Sequence, residues 1–210
     1  MKIFVTGTDT GIGKTIVSAW LALHFDMHYW KPIQAGTEGM DSDTVRSLTR
    51  CGSSKLIPER YVLKRPLSPH LAAQLEETHM RIEDFILPEQ NPLIVEGAGG
   101  LMVPINDKHT MLDLIKKLAI PVLVVARSAL GTINHTCLTV HALRDSNIPI
   151  MGVIMNGEKN EGNKQAIERY AKTKVLYELE PFETIDHSSL RKVFPSEILI
   201  SKVQHECEAI

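Results

Sequence analysis

The residues Lys2–Phe25, KIFVTGTDTGIGKTIVSAWLALHF, decide the fold. Lys2–Thr6 is a short, mostly apolar run with strand character. Gly7–Thr15, GTDTGIGKT, follows at once, and Ile16–Phe25 carries Ala and Leu at helical spacing. Strand, glycine-rich loop and helix, in that order, build an anion site in parallel α/β proteins. Successive backbone N–H groups wrap a phosphate, and the helix N-terminus adds a favourable field. In Gly13–Lys14–Thr15 the ammonium of Lys14 can reach β and γ oxygens, while Thr15 offers a hydroxyl to Mg²⁺. The loop is not a strict GxxxxGK[ST]: Thr8 stands where that pattern has glycine, and Gly7 comes one residue early. A glycine-rich βα turn with an incidental GKT is the competing reading.

The alternation continues outward from this unit. Tyr29–Ile33 reads as a second short strand, leading into the polar loop Gln34–Gly39. Asp41–Thr49 reads as a helix capped by Asp41 or Ser42. Ser68–Pro69, a capping residue before a first-turn proline, opens a helix through Leu71–Thr78, with another turn or two at Met80–Ile86. Pro92–Val95 is a short apolar strand that stops at EGAGG, Glu96–Gly100. Met111–Leu118 reads as a helix. Pro121–Ala126 is continuously apolar, as expected of a parallel strand covered on both faces. Ile133–Leu143 and Gly162–Tyr170 read as helices, Ile150–Met155 and Lys174–Leu179 as strands. Short strands alternating with helices predict an α/β protein: a single P-loop domain over residues 1–210, with a mostly parallel sheet and helices on both faces. Cys51–Pro66 fits this scheme least and reads as a loop excursion.

Composition narrows the function. A chain of 210 residues with 43% hydrophobic and 23% charged residues has an ordinary globular make-up. Its net charge of -2 argues against a general nucleic-acid binder, which gathers Lys and Arg on one face. Runs such as IPVLVVA, Ile120–Ala126, are too short to span a membrane. Cys51, Cys137 and Cys207 are odd in number and far apart, with no CxxC pair; this favours a reducing, cytoplasmic setting. The nine histidines form no metal or triad pattern.

Several other residues stand where chemistry is expected. Glu96 ends an apolar strand, at the carboxyl edge where open α/β sheets bind ligands. It could coordinate Mg²⁺ directly or through water, or simply end the strand in solvent. Gly97, Gly99 and Gly100 would let the backbone approach a ligand. Asp41 and Asp43 form a pair of which one would cap a helix and the other be exposed or hold a metal. Lys31, just before Pro32, could bring a second cation to the phosphates. Gly131–Asn134 opens a helix and could bind a carboxylate through free N–H groups. Asn156 follows a strand and could bond a base edge or serve a turn.

Together, GTDTGIGKT, KPIQAG (Lys31–Gly36), the SD within Asp41–Asp43, SPH (Ser68–His70), VEGAGG (Val95–Gly100), LGTINH (Leu130–His135) and MN (Met155–Asn156) resemble the dethiobiotin synthetases, in that family's order. The resemblance implies an ATP-dependent cyclising ligase. It would convert 7,8-diaminononanoate (diaminopelargonate) and CO₂ to dethiobiotin through a carbamate and a carbamic–phosphoric anhydride, releasing ADP and phosphate. Mg²⁺ would be the cofactor and ATP a co-substrate. By the same resemblance Thr8, Asp9, Thr10, Gly11, Ile12, Gly13, Lys14 and Thr15 would wrap the ATP phosphates, with Lys14 on the γ-phosphoryl. Thr15, Asp43 and Glu96 would hold Mg²⁺. Thr10 and Lys31 would sit at the carbamate and γ-phosphate with Ala35 nearby, Gly99 would lie against the nucleotide, and Asn156 would face the adenine. A homodimer is implied, in which Gly131, Thr132 and Asn134 of the partner subunit receive the carboxylate tail of the diamine.

Three positions depart from the family's pattern. Gly11 replaces a larger residue, and Ala35 falls where Ser or Thr is frequent. Tyr177, in VLYELEP, stands in place of a glycine beside the base, where it would cover or crowd the pocket and loosen base recognition. Two rival readings are a P-loop switch or partitioning ATPase and a non-catalytic nucleotide-binding relative. The switch proteins usually carry an extra loop lysine where Asp9 stands here. The retained Lys14, Thr15, Lys31, Asp43 and Glu96 weigh against the non-catalytic relative.

Overall fold

The computed structural model describes the backbone of residues 1–208 and the side chains of residues 1–204, so Cys207 lies outside the described side chains. Nine strands run in chain order: β1 (Lys2–Gly7), β2 (His28–Trp30), β3 (Ile33–Ala35), β4 (Leu56–Ile57), β5 (Tyr61–Leu63), β6 (Leu93–Gly100), β7 (Val122–Arg127), β8 (Ile150–Asn156) and β9 (Val175–Leu179). Seven make one sheet in the order β4-β2-β6-β1-β7-β8-β9, with every pairing parallel. Parallel neighbours need crossovers, and these are supplied chiefly by α1 (Lys14–Phe25), α2 (Asp41–Thr49), α3 (Pro69–Leu75), α4 (Met111–Leu118), α5 (Thr132–Asp145) and α6 (Glu161–Ala171). Two further helices, α7 (His187–Lys192) and α8 (Glu197–Glu208), follow β9. Periodicity in the C-terminal sequence is too weak to announce them.

The period-two alternation of the strands divides the interior into two layers. Phe4, Val122 and Val124 face one side, packing with Leu114 and Ile115 of α4 and Val140 and Leu143 of α5. Ile3, Val5, Leu123 and Val125 face the other, with Trp20 and Leu21 of α1, Val45 and Leu48 of α2, Leu190 of α7 and Leu199 of α8. A sheet covered on both faces explains why VLVVA reads as unbroken apolar sequence rather than alternating. Each such side chain contributes roughly 2–3 kcal/mol when fully buried.

Five local expectations are corrected. The strand expected at Tyr29–Ile33 is split: β2 belongs to the main sheet and β3 pairs only with β5. Pro32 lies at the break; it has no N–H for a ladder, and its carbonyl accepts from Arg60 and Tyr61 N–H instead. The excursion at 51–66 contains β4, an edge of the main sheet, and β5. β6 does not stop at Glu96 but runs on through Gly100, with irregular register against β1 beyond Val5. Finally, α2 has Met40 at its N-cap with no side-chain cap, so Asp41 and Asp43 both lie in its first turn, where carboxylates favour the helix dipole. The expected α3 also ends early, at Leu75.

Candidate active site

The site forms where β1, β2 and β6 end, at the carboxyl edge of the sheet. After Gly7 the chain turns through Thr8–Gly13 into α1. Gly13 closes the turn at φ 89°, and a Cβ there would lie 2.2 Å from Asn156 Nδ2. That amide, at the end of β8, donates to Ile12 O at 2.9 Å. Asn156, which the family resemblance places at the adenine, thus also supports the loop. Lys14 donates to Asp9 O at 2.9 Å, and the Asp9 carboxylate accepts from Thr10 N–H at 2.7 Å. The same carboxylate pairs with Arg127 at the end of β7. Burial, followed by the nearby Lys31 ammonium, pulls the Lys14 pKa down to about 8.

Glu96 is the hub of the site, with 0% of its surface exposed. Its Oε1 accepts from Thr15 Oγ1 at 2.9 Å and Lys31 Nζ at 3.0 Å, and its Oε2 accepts from the Tyr29 hydroxyl at 3.1 Å. A carboxylate so buried is tolerable only with partners of this kind. Lys31 also donates to Gly97 O at 3.2 Å and lies 2.5 Å from Asp41 Oδ2. Burial draws the Lys31 ammonium down, but Glu96 and Asp41 outweigh it and leave its pKa raised. Burial and Glu96 hold the Tyr29 phenol well above its ordinary range.

A cavity of about 820 Å³ opens over this network, with Thr10, Lys14, Lys31, Asp41, Glu96 and Gly99 in its wall. Its size suits a bound small molecule. Thr15 and Glu96 supply two hard oxygen donors 2.9 Å apart beside the loop. Magnesium takes one or two carboxylates and completes its shell with phosphate and water, so these residues fit it. Among the described residues no group of three or more His, Cys, Asp and Glu side chains could hold a metal by itself.

The structure does not bring every expected residue together. Asp43 faces Arg46 at 3.1 Å with 60% of its side chain exposed, and it lies outside the cavity wall. Asp41 takes the inward position instead. Residues two apart on a helix lie on different faces, so the site can receive only one of the pair, and spacing cannot say which. Ala35 lines the cavity without a hydroxyl. A Cβ at Gly11 would meet nothing within 4 Å, leaving open space where a larger residue would reach. Gly131, Thr132 and Asn134 are not part of this cavity. Thr132 is buried beneath α5, its Oγ1 3.4 Å from that of Thr136, while Gly131 and Asn134 face outward. Tyr177, expected to cover or crowd the base pocket, packs on Trp20 of α1 at a ring separation of 4.7 Å, against the apolar layer.

A family model described as an AAA domain matches residues 1–189. The chain is 48% identical over 195 residues to the ATP-dependent dethiobiotin synthetase of Paramagnetospirillum magneticum, covering 92% of this chain and 94% of that one. The chain belongs to the dethiobiotin synthetase family. A family member from Lawsonia intracellularis is likewise 48% identical, over 194 residues, with 92% and 94% covered. A biotin biosynthesis bifunctional protein of Bordetella avium is 46% identical over 187 residues, which span 88% of this chain and 40% of that one. Among solved structures, a plasmid partition protein from Borrelia burgdorferi aligns with a TM-score of 0.58 at 14% identity, over 100% of this chain and 98% of that one. That likeness shows that the family shares the partition proteins' fold.

Tyr29 and Asp41 are the site residues that sequence reasoning missed. Tyr29 had a signal: it sits two residues before Lys31, the spacing that returns a strand's side chains to one face. Asp41 had none beyond its membership of an acidic pair.

Proposed function

We propose that this site carries out the reaction of its family, ATP-dependent closure of the ureido ring of dethiobiotin from 7,8-diaminononanoate and CO₂, with release of ADP and phosphate. The observation that carries the reading is the convergence of Lys14, Lys31, Thr15 and Glu96 in one bonded network on the wall of a single cavity. One amine captures CO₂ as a carbamate. A carbamate oxygen attacks the γ-phosphorus and ADP departs, giving the carbamic–phosphoric anhydride. The second amine attacks the carbonyl carbon, the ring closes, and phosphate leaves.

The substrate supplies both nucleophiles, so the protein's contribution is positioning and charge neutralisation. Backbone N–H groups of Thr8–Thr15 cradle the phosphates. Lys14 releases Asp9 O and turns to the γ-phosphoryl oxygens, while Lys31 and Thr10 hold the carbamate beside it. Thr15 and Glu96 would hold Mg²⁺, which when bound would supply further neutralisation of phosphate charge. Asn156, held against Ile12, keeps the loop in shape beneath the nucleotide.

The protein acts as a homodimer in this reading, with Gly131, Thr132 and Asn134 of the partner subunit receiving the carboxylate tail. Support comes from the surface around α5, where Leu130 is 100% and Leu138 62% exposed. A cytoplasmic setting fits the free thiols of Cys51 and Cys137, and among the described residues no helix is long and apolar enough to cross a membrane. The deciding experiment follows phosphate release from ATP, Mg²⁺ and bicarbonate, with and without the diamine, and dethiobiotin by mass. Release that needs the diamine and matches product one to one is expected. Hydrolysis without the diamine would move the protein to the switch class.

A further inference from the structure

Three carboxylates surround the two lysines, and their environments differ. Asp9 faces Arg127 on the outer side of the loop. Glu96 is fully buried and already accepts from Thr15, Tyr29 and Lys31. Asp41 stands on the first turn of α2, its side chain 27% exposed and on the cavity wall, with Lys31 as its ion-pair partner.

An ammonium has three N–H donors, and those of Lys31 are all engaged, by Glu96 Oε1, Gly97 O and Asp41 Oδ2. Two of these acceptors belong to β6, and the Glu96 side chain is 0% exposed. Asp41, at 27% exposed, is the acceptor that solvent reaches, so an anion entering through the cavity displaces Asp41 first. The exchange leaves a partly desolvated carboxylate without a cation, which is costly unless another cation arrives. Glu38 also lines the cavity but is exposed to water, where an ion pair is worth little.

We infer that Asp41 receives an ammonium of the diamine, exchanging it for Lys31 as the reacting anion takes its place. This rests on the proposed reaction, in which one substrate amine becomes an anionic carbamate while the other carries a proton on binding, which it gives up to water before it attacks as the free amine. Lys31 would pair with the first and Asp41 with the second. The two charges of the resting ion pair are thereby matched to the two ends of the reacting group, which makes Asp41 a specificity-determining residue for vicinal diamines.

The test uses Asp41→Asn, which keeps the shape and removes the charge, and Asp41→Glu, which restores the charge. Diamine affinity is measured by calorimetry and by KM, alongside KM for ATP, with 7-aminononanoate and 8-aminononanoate as monoamine probes. The expected result is a loss of about tenfold or more in diamine affinity for Asp41→Asn. ATP KM should stay within about twofold, Asp41→Glu should recover part of the loss, and at least one monoamine should bind both proteins alike. A fall in kcat with unchanged diamine affinity would overturn the inference and leave Asp41 as an anchor for Lys31. Equal losses for the diamine and both monoamines would overturn it too. A wild-type protein that binds no diamine would sink the functional reading itself, and this inference with it.

Discussion

The phosphate end of the cavity and the N-terminus of α5 differ in how complete they are within one chain. At the first, Lys14, Thr15, Lys31 and Glu96 are bonded to the protein itself; the Thr8 hydroxyl is an exception, buried without a partner. At the second, Leu130 lies fully in solvent and a Cβ on Gly131 would meet nothing within 4 Å. Physical chemistry explains the contrast. Buried charges must be compensated before any ligand arrives, whereas groups at an exposed surface can stay hydrated at little cost. Substitutions at the phosphate end should therefore disturb folding and chemistry together, and those of exposed side chains at α5, such as Asn134, should disturb binding alone.

The largest expected effect is that of Lys14→Ala. It should lower turnover by about a thousandfold or more, as removal of a charge stabiliser at the transferring group does, and single-turnover kinetics would show the loss in the chemical step. Glu96→Ala comes next and should strike twice. Denaturant titration should show a loss of about 3 kcal/mol, because one partner of a buried pair is removed and Lys31 keeps only Asp41 and Gly97 O, and the Mg²⁺ concentration for half-maximal rate should rise sharply. An unchanged Mg²⁺ dependence would take Glu96 out of the metal's shell. Asn134→Ala should raise diamine KM about tenfold while stability changes by less than about 0.5 kcal/mol. If it unfolds the protein instead, the contrast between the two regions is wrong. The smallest effect belongs to Gly131→Ala: space is open, but φ is 92°, so thermal unfolding should report a loss of about 1 kcal/mol.

Much of this was legible in the sequence, and the failures share causes. The loop and α1 were readable because glycine, lysine and threonine at fixed spacing leave few backbone solutions. β7 was readable because burial on both faces suppresses alternation. β3, β4 and β5 were not, because strands of two or three residues carry no periodicity. Lys31 was found, but the inward carboxylate of α2 was expected at Asp43, as a Mg²⁺ ligand, whereas Asp41 faces Lys31, because cap position and helix phase are set by the loop before α2. Gln34 shapes that loop by donating to Gly36 O at 2.9 Å, a tertiary detail with no local signature. The packing of Tyr177 on Trp20 was hidden for a related reason: which side of β9 faces α1 depends on its register with β8.

The contact between Asn156 and Ile12 reaches beyond the loop it steadies. It joins the first strand's loop to the end of the eighth, so the cradle becomes ordered only when distant parts of the chain have come together. Conformational entropy is thus surrendered at folding, and a nucleotide arriving later has less of it left to remove. The cradle behaves as a casting already set, and occupancy should track nucleotide concentration with little delay from rearrangement of the loop.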